Sequence, residues 1–497
     1  MKQQSPNISS KEHREIIEKI LAYWEEFEKT EFVPQQQNPL RFFQTALRNQ
    51  YVYPDFEKTA QRFLQEMQPY KEAFRDFYYM SRLAATIITT PEENHLNIPF
   101  DFLRFQAILG RKEASKLFNR LKIAVSQGKL YDLNDFLSVL TNELYEGSIP
   151  LTDTDLAILR ELCQSYEEYC LLDRGMTNRS AYLAKRIRPH LSSINRSLQK
   201  MGQLGILKYN VYINYPKLGL IPYLVRYSPP FVFKMEEEKF IPLKIANFNA
   251  ENFAVLLIPS EREDRLAKQI SLTRLRRFET SWNFTAYESK NLVFPEALRD
   301  VQFFTKDPKD IVFPSPQGIS IHYQGQQTIS FQMNDLRIIH ETSLGRATRT
   351  ITELLAQEKG IKSHSYISQR TRFLLKENII RPYFLLRYVG LHCLCFVFAE
   401  GESEQIGALN QLLRFMISQR HYYGQNNEGK EVLFSVIRMP PSWQHPFHRI
   451  ISHFRKSTSL STLQIGWFPW PGAFRRVYLF QLWNEEEEYW QFPYHAR

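Results

Sequence analysis

Apolar residues recur at helical spacing through the first 150 positions, most clearly in HREIIEKILAYWEEFEK and FEKTAQRFLQEMQPYKEAFRDFYYMSRLAATII. Breaks rich in Pro and Asn, EFVPQQQNP and TTPEENHLNIP, interrupt these runs, so the pattern predicts an all-α amino-terminal domain over 1–150. Within it, DFLRFQAILGRKEASKLFNRLKIAVSQGKLYDL admits a divergent helix-turn-helix, the plainer reading being a helical packing or dimerisation domain.

From Leu151 the helical pieces shorten. Thr152 stands at an N-cap position, Asp153 and Asp155 fall in the first turn where the helix dipole favours acid, and Leu156, Ile158, Leu159 and Leu162 form an inward face. After the insert QSYEEYCLLDRGMTNR, Ser180 is placed to cap a second helix with Leu183, Ala184 and Ile187 inward. A turn at 188–191 leads to a third helix with Ile194, Leu198 and Met201 inward. Its other side carries Ser192, Ser193, Asn195, Arg196, Gln199 and Lys200. Gly205 stops that helix, and alternation at Leu207, Tyr209, Val211 and Ile213 begins a β-wing that closes in YPKLGL.

The period then changes. ENFAVLLIPS reads as a strand, EREDRLAKQISLT as a helix, LRRFETSWNF and KNLVFPE as strands, ALRDVQFF as a short helix and ISIHYQG as a last strand, the βαββαβ order of a ferredoxin-like domain. The same two-part unit returns later. FQMNDLRIIHETS, TITELLAQEKG and SHSYISQRTRFLLKENIIRPYF repeat the three helices and wing, with Asn378 at the helix-ending position that Gly205 holds in the first copy. Ser365, Tyr366, Ser368, Gln369 and Arg372 occupy the outward face of the third helix, with Ile367 and Leu374 inward. LHCLCFVFAEG, SEQIGALNQLLRFM, SQRHYYGQ, KEVLFSVIRMP, QHPFHRIISHFRKS and TLQIGWFPW then give a second βαββαβ. The tail RRVYLFQLWNEEEEYWQF reads as a solvated end, the alternative being that it folds over the domain surface.

These stretches resemble the Lrp/AsnC family of transcriptional regulators, whose winged helix reads as D-x-D-x-x-I-L-x-x-L, then L-A-K, then a helix stopped by Gly and a wing ending in K-L-G-L, followed by a RAM domain. The expected fold is therefore α+β: two winged helix-turn-helix domains, each followed by a RAM-like ferredoxin-like domain, behind the all-α amino-terminal domain. The boundaries are 151–228 and 229–328 for the first unit, then 329–391 and 392–497, with the tail, for the second. The resemblance implies a cytoplasmic, archaeal-type regulator rather than an enzyme, acting on double-stranded DNA without a cofactor. It also implies that the two copies pair as an intrachain pseudo-dimer, a homodimer remaining open, and that their unlike reading faces meet unlike half-sites. Arg186, Arg188, Lys200, Lys208, Arg370 and Arg381 are the expected phosphate contacts. The family's RAM domains bind small effectors, commonly amino acids, at a glycine-bearing turn with a nearby acid; Gly424, Gly429 and Glu431 stand there in the second copy.

Composition changes this picture little. The net charge of +10 and pI near 9.2 favour a polyanionic partner. No leader-like segment opens the chain and no apolar run approaches the roughly 20 residues of a membrane span. The four cysteines lack zinc or disulfide spacing; Cys393 and Cys395 read as buried neighbours on one face of a strand. His421, at a strand end, and His445, His448 and His453, near one helix, have no acid or cysteine to complete a metal set. Two alternatives stay open. Siroheme decarboxylases share the scaffold, and RHYYGQNN is similar to their histidine-bearing pattern; many winged helices also bind proteins instead of DNA.

Overall fold

The computed structural model describes residues 10–29, 62, 65–66, 109, 111–143, 151–171, 176–203, 206–228, 231, 233, 235–246, 251–261, 271–284, 287–288, 291–292, 294–295, 298, 317–323, 328–343, 348–359, 363–386, 389–391, 393–458, 460–468 and 477–492. It is a mixed α/β structure built on an antiparallel curled sheet, compatible with the α+β class. The amphipathic run at the start forms α1 (Ser10–Lys29), which packs on α2 (Arg111–Ser126) and α3 (Leu133–Glu143). Ile16, Ile17, Ile20 and Trp24 fall on one helical stripe and are fully buried, with Trp24 against Phe118 at 5.1 Å. The run beginning FEKTAQRF and the stop at Gly205 lie outside the described residues, apart from isolated positions at 62, 65 and 66.

Three helices follow, α4 (Asp153–Leu171), α5 (Met176–Ala184) and α6 (Leu191–Gln203), then strand β1 (Leu207–Ile213). Ser180 is not a cap. Both flanking helices extend into the insert, so Ser180 lies buried inside α5, where its hydroxyl donates to Asn195 Oδ1. The second set is α7 (Met333–Ser343), α8 (Thr348–Lys359) and α9 (His364–Lys376), followed by β7 (Ile380–Leu386). Ser363 caps α9, accepting from Tyr366 N at 3.2 Å, and Asn378 adopts φ 55°, the left-handed conformation that ends the helix.

The remaining strands are β2 (Leu220–Tyr227), β3 (Leu243–Ala246), β4 (Asn252–Pro259), β5 (Ser271–Trp282), β6 (Gln317–His322), β8 (Cys393–Gly401), β9 (Ser418–Gln425), β10 (Glu431–Met439) and β11 (Thr462–Phe468). They form one sheet in the order β11-β8-β10-β9-β5-β2-β4-β3, with β6 also paired to β5. Helix α10 (Ser403–Leu413) joins β8 to β9, and α11 (Gln444–Ser457) joins β10 to β11. Every residue of β8 is buried, because these helices cover one face while the curled sheet covers the other. Cys393 and Cys395 share the helix-side core as the alternation requires, and Phe396 and Phe398 point into the curl.

The curl brings β4 over β8, five places away in strand order. Phe253 lies 5.0 Å from Phe398, 5.3 Å from Phe396 and 5.5 Å from Phe434, and Arg226 Nη1 reaches Glu400 Oε2 at 3.2 Å. Aromatic rings thus fill the space between the two halves, each ring adding a large buried apolar area.

The first half departs from the expected pattern. LIPYLVRY, assigned above to the winged-helix stretch, is strand β2 in the middle of the sheet, since the positive φ of Gly219 (74°) turns the chain straight into it. Gly390 (φ 81°) makes the same turn ahead of β8. Ser271–Thr273, expected at the end of a helix, belong to β5, and among the described residues of KNLVFPE the strand is the two-residue Asn291–Leu292. The order β5-β2-β4-β3 therefore does not repeat β11-β8-β10-β9.

The two halves are joined twice. Strand β5 pairs with β9 antiparallel from Trp282↔Ser418 to Arg274↔Gln425. Away from the large sheet, β1 pairs with β7 over seven residues centred on Asn210↔Tyr383. Helix α4 packs on β7 and α7 on β1, so each three-helix unit rests on the other unit's strand.

The tail is not a solvated end. Leu479, Leu482 and Trp490 are buried against α7 and the first half of the sheet, and Trp490 Nε1 donates to Leu218 O at 2.8 Å. Trp490→Ala leaves that carbonyl unpaired and opens a cavity, at an expected cost of about 3–5 kcal/mol. A loss below about 1 kcal/mol in urea unfolding would put the tail back in solvent.

Candidate nucleic-acid interface

A buried carboxylate organises each three-helix unit. Asp155, 1% exposed, accepts from Thr152 N at 2.8 Å while Thr152 Oγ1 accepts from Asp155 N at 3.2 Å, a reciprocal cap on α4. The same carboxylate receives Ser197 Oγ and Lys200 Nζ, the latter at 2.8 Å, from α6. In the second unit Asp335, fully buried, accepts from Gln332 N at 2.9 Å and takes a two-pronged contact from Arg370, Nε at 2.7 Å and Nη2 at 2.6 Å. That pairing raises the Arg370 pKa, and the guanidinium also lies 4.3 Å from the Phe373 ring. Ile367, Arg370 and Leu374 stand 173 residues after Ile194, Ser197 and Met201, so the tether starts from equivalent positions.

These tethers decide which side chains remain outward. Ser192, Ser193 and Arg196 are exposed on α6, and Gln199 is half-buried beside them. Lys200 and Asn195, expected on the reading face, are turned to the Asp155 and Ser180 contacts instead. On α9, Ser365, Gln369 and Arg372 are exposed and Ser368 is half-buried, whereas Tyr366 OH donates to Gln332 Oε1 at 3.4 Å. Arg370 is consumed by Asp335, and Arg381 Nη1 donates to Ser320 O at 2.9 Å. Arg186 lies over Tyr182 at 4.0 Å, Arg188 is exposed, and Lys208 pairs through its backbone with Leu385. The structure thus brings together one set of exposed polar side chains per unit, each smaller than the sequence face suggests. Asp155 was legible only as a first-turn acid; its burial depends on α6 arriving across it.

Asn210 and Tyr383, the central pair of β1 and β7, are also 173 residues apart. Repeat-equivalent residues facing each other in an antiparallel pair define a local two-fold axis there. Tyrosines gather beneath it: Tyr212 OH bonds Tyr323 OH, and the Tyr212 ring stacks on Phe278 at 4.0 Å and 11°. Tyr422 lies 5.0 Å from Phe278, and burial pushes its hydroxyl up to about 12. No sequence signal marked this group, because its members come from four separate strands and their ends.

Gly424, Gly429 and Glu431 do lie together, on the β9–β10 hairpin. Gly429 (φ 82°) closes the turn, with Asn426 Oδ1 accepting from Glu428 N and Lys430 N at 3.0 Å each. A side chain on Gly424 would meet the Arg274 carbonyl of the neighbouring β5, and Glu431 lies 3.9 Å from Arg276. His421 is in the middle of β9, not at a strand end. It is 2% exposed, and both ring nitrogens are engaged, Nδ1 with Ser435 Oγ at 2.7 Å and Nε2 with Gln419 Oε1 at 2.8 Å. His445 and His448 are exposed on α11, and among the described residues no cluster of metal-ligating side chains occurs.

No family model, no curated protein and no solved structure matches this chain. Among the described residues no helix is long and apolar enough to cross a membrane.

Burial, reinforced by the Arg414 and Arg277 charges, lowers the His421 pKa to about 3. The ring is neutral in the folded chain, while an unfolded histidine binds a proton near pH 6.5. Stability linked to His421 is therefore complete above pH 6.5 and declines as pH falls toward 3, by about 2 kcal/mol at pH 5. His421→Gln should flatten that part of the stability profile between pH 7.5 and 5; an unchanged slope would assign the acid sensitivity elsewhere.

Proposed function

We propose that the chain is a sequence-specific DNA-binding transcriptional regulator of Lrp/AsnC type, presenting two reading helices from one polypeptide. The observation that carries this reading is the antiparallel pairing of β1 with β7 about equivalent residues, which relates α6 and α9 by a two-fold axis. Each trio of helices with its following strand is read as a winged helix. The βαββαβ run from β8 to β11, in the order β11-β8-β10-β9 with two covering helices, supports a ferredoxin-like domain for the second half.

A two-fold relation between reading helices fits half-sites in inverted rather than direct orientation. The outward residues differ, Ser192, Ser193, Arg196 and Gln199 in one unit against Ser365, Gln369 and Arg372 in the other, so the halves are unlike in sequence. Arg suits the guanine edge and Gln the adenine edge in the major groove. Phosphate attraction falls to Arg188 and Lys208, since Lys200 and Arg370 already neutralise buried acids and Arg186 pairs with Glu161 at 3.3 Å.

Selection from random duplex DNA should return a bipartite motif with inverted, unlike halves, and affinity should fall steeply between about 50 and 200 mM salt. Arg196→Ala should relax preference in one half by about 1–3 kcal/mol and Arg372→Ala in the other. Recovery of no enriched sequence, together with salt-independent retention, would replace this reading with that of a protein-binding scaffold.

A further inference from the structure

We infer that the carboxy-terminal acidic hairpin shields the second three-helix unit, leaving the first unit as the primary DNA-docking surface; this rests on the DNA reading above. The hairpin is held by apolar contacts on both sides. Phe331 lies 4.7 Å from Trp483 and 5.8 Å from Trp490, His340 lies 4.9 Å from Tyr478 and 5.1 Å from Phe480, and Arg337 sits 5.4 Å from the Phe480 ring. At its tip Asn484 Oδ1 accepts from Glu486 N at 3.1 Å and Glu487 N at 3.3 Å, and Glu485, Glu486, Glu487 and Glu488 are all exposed.

The tip stands beside the proposed reading helix. Glu485 Oε1 accepts from Met333 N, the first residue of α7, at 3.4 Å, and the adjacent Gln332 accepts from Tyr366 OH in the first turn of α9. Two adjacent residues, Gln332 and Met333, thus link the acid run to the first turn of α9. The free N–H groups and positive dipole of a helix start attract phosphate, and here a carboxylate takes that place. The four exposed carboxylates at this helix start oppose a phosphate backbone approaching the second unit. In the first unit the start of α4 is closed by the Thr152–Asp155 pair of its own chain segment, and Arg188 and Arg196 are exposed nearby in sequence.

The test compares the full chain with a variant carrying Glu485→Gln, Glu486→Gln and Glu487→Gln, all on exposed positions. A charge-matched control carries Glu12→Gln, Glu15→Gln and Glu18→Gln on α1. Retention of a short random-sequence duplex is measured at about 0.1 M salt, with a footprint on the selected motif. The hairpin variant is expected to bind about tenfold tighter and to strengthen protection of the second half-site relative to the first, with the control unchanged. Equal binding by wild type and hairpin variant, or equal tightening by the control, would overturn the shielding while leaving the DNA reading intact. Failure of wild type and both variants to retain duplex DNA even at low salt would overturn the DNA reading and this inference together.

Discussion

The antiparallel pairing of β1 with β7 is what joins the two three-helix units among the described residues. Seven backbone pairs tie two segments more than 160 residues apart, and each strand is too short to persist alone. The pairing is sheltered by exchange: α4 covers β7 and α7 covers β1, so neither three-helix unit completes its core without the other. An interlock of this kind makes the two copies one cooperative body, where a tandem repeat joined only by its linker would leave two independent heads.

The large sheet extends that logic. Its two halves meet edge to edge at β5 and β9, and they meet again face to face where Phe253 reaches Phe396, Phe398 and Phe434. Edge pairing satisfies backbone groups that would otherwise invite aggregation, and the aromatic interior buries apolar area from both halves. The tyrosines at 212, 323 and 422 lie where the small sheet meets the large one, so the two sheets are joined there by packed rings.

Buried charge is handled alike in both units but with different chemistry. Asp155 is neutralised by a lysine and hydrogen-bonded by a serine, Asp335 neutralised by a guanidinium fork. Leaving either acid unpaired in the interior would cost several kcal/mol, so Lys200 and Arg370 serve the fold before anything else. The consequence is an outward face thinner in charge than the helices' composition suggests, and different in the two units.

Much of the architecture was legible in the chain itself. Helical and alternating periods located both helix trios and all six elements from β8 to β11, because local burial patterns follow directly from 3.6- and 2-residue repeats. The first-turn acids Asp153 and Asp155 and the left-handed turn at Asn378 were legible for the same reason: each is a local property of a few neighbouring residues. Tertiary structure alone decided that LIPYLVRY is a central strand, that Ser180 lies inside a helix, that Lys200, Asn195 and Arg370 turn inward, that His421 is sealed in the sheet and that the acidic tail folds back on α7. Each of these depends on a partner far away in sequence, and periodicity records only that a position is buried or exposed, not what arrives to cover it.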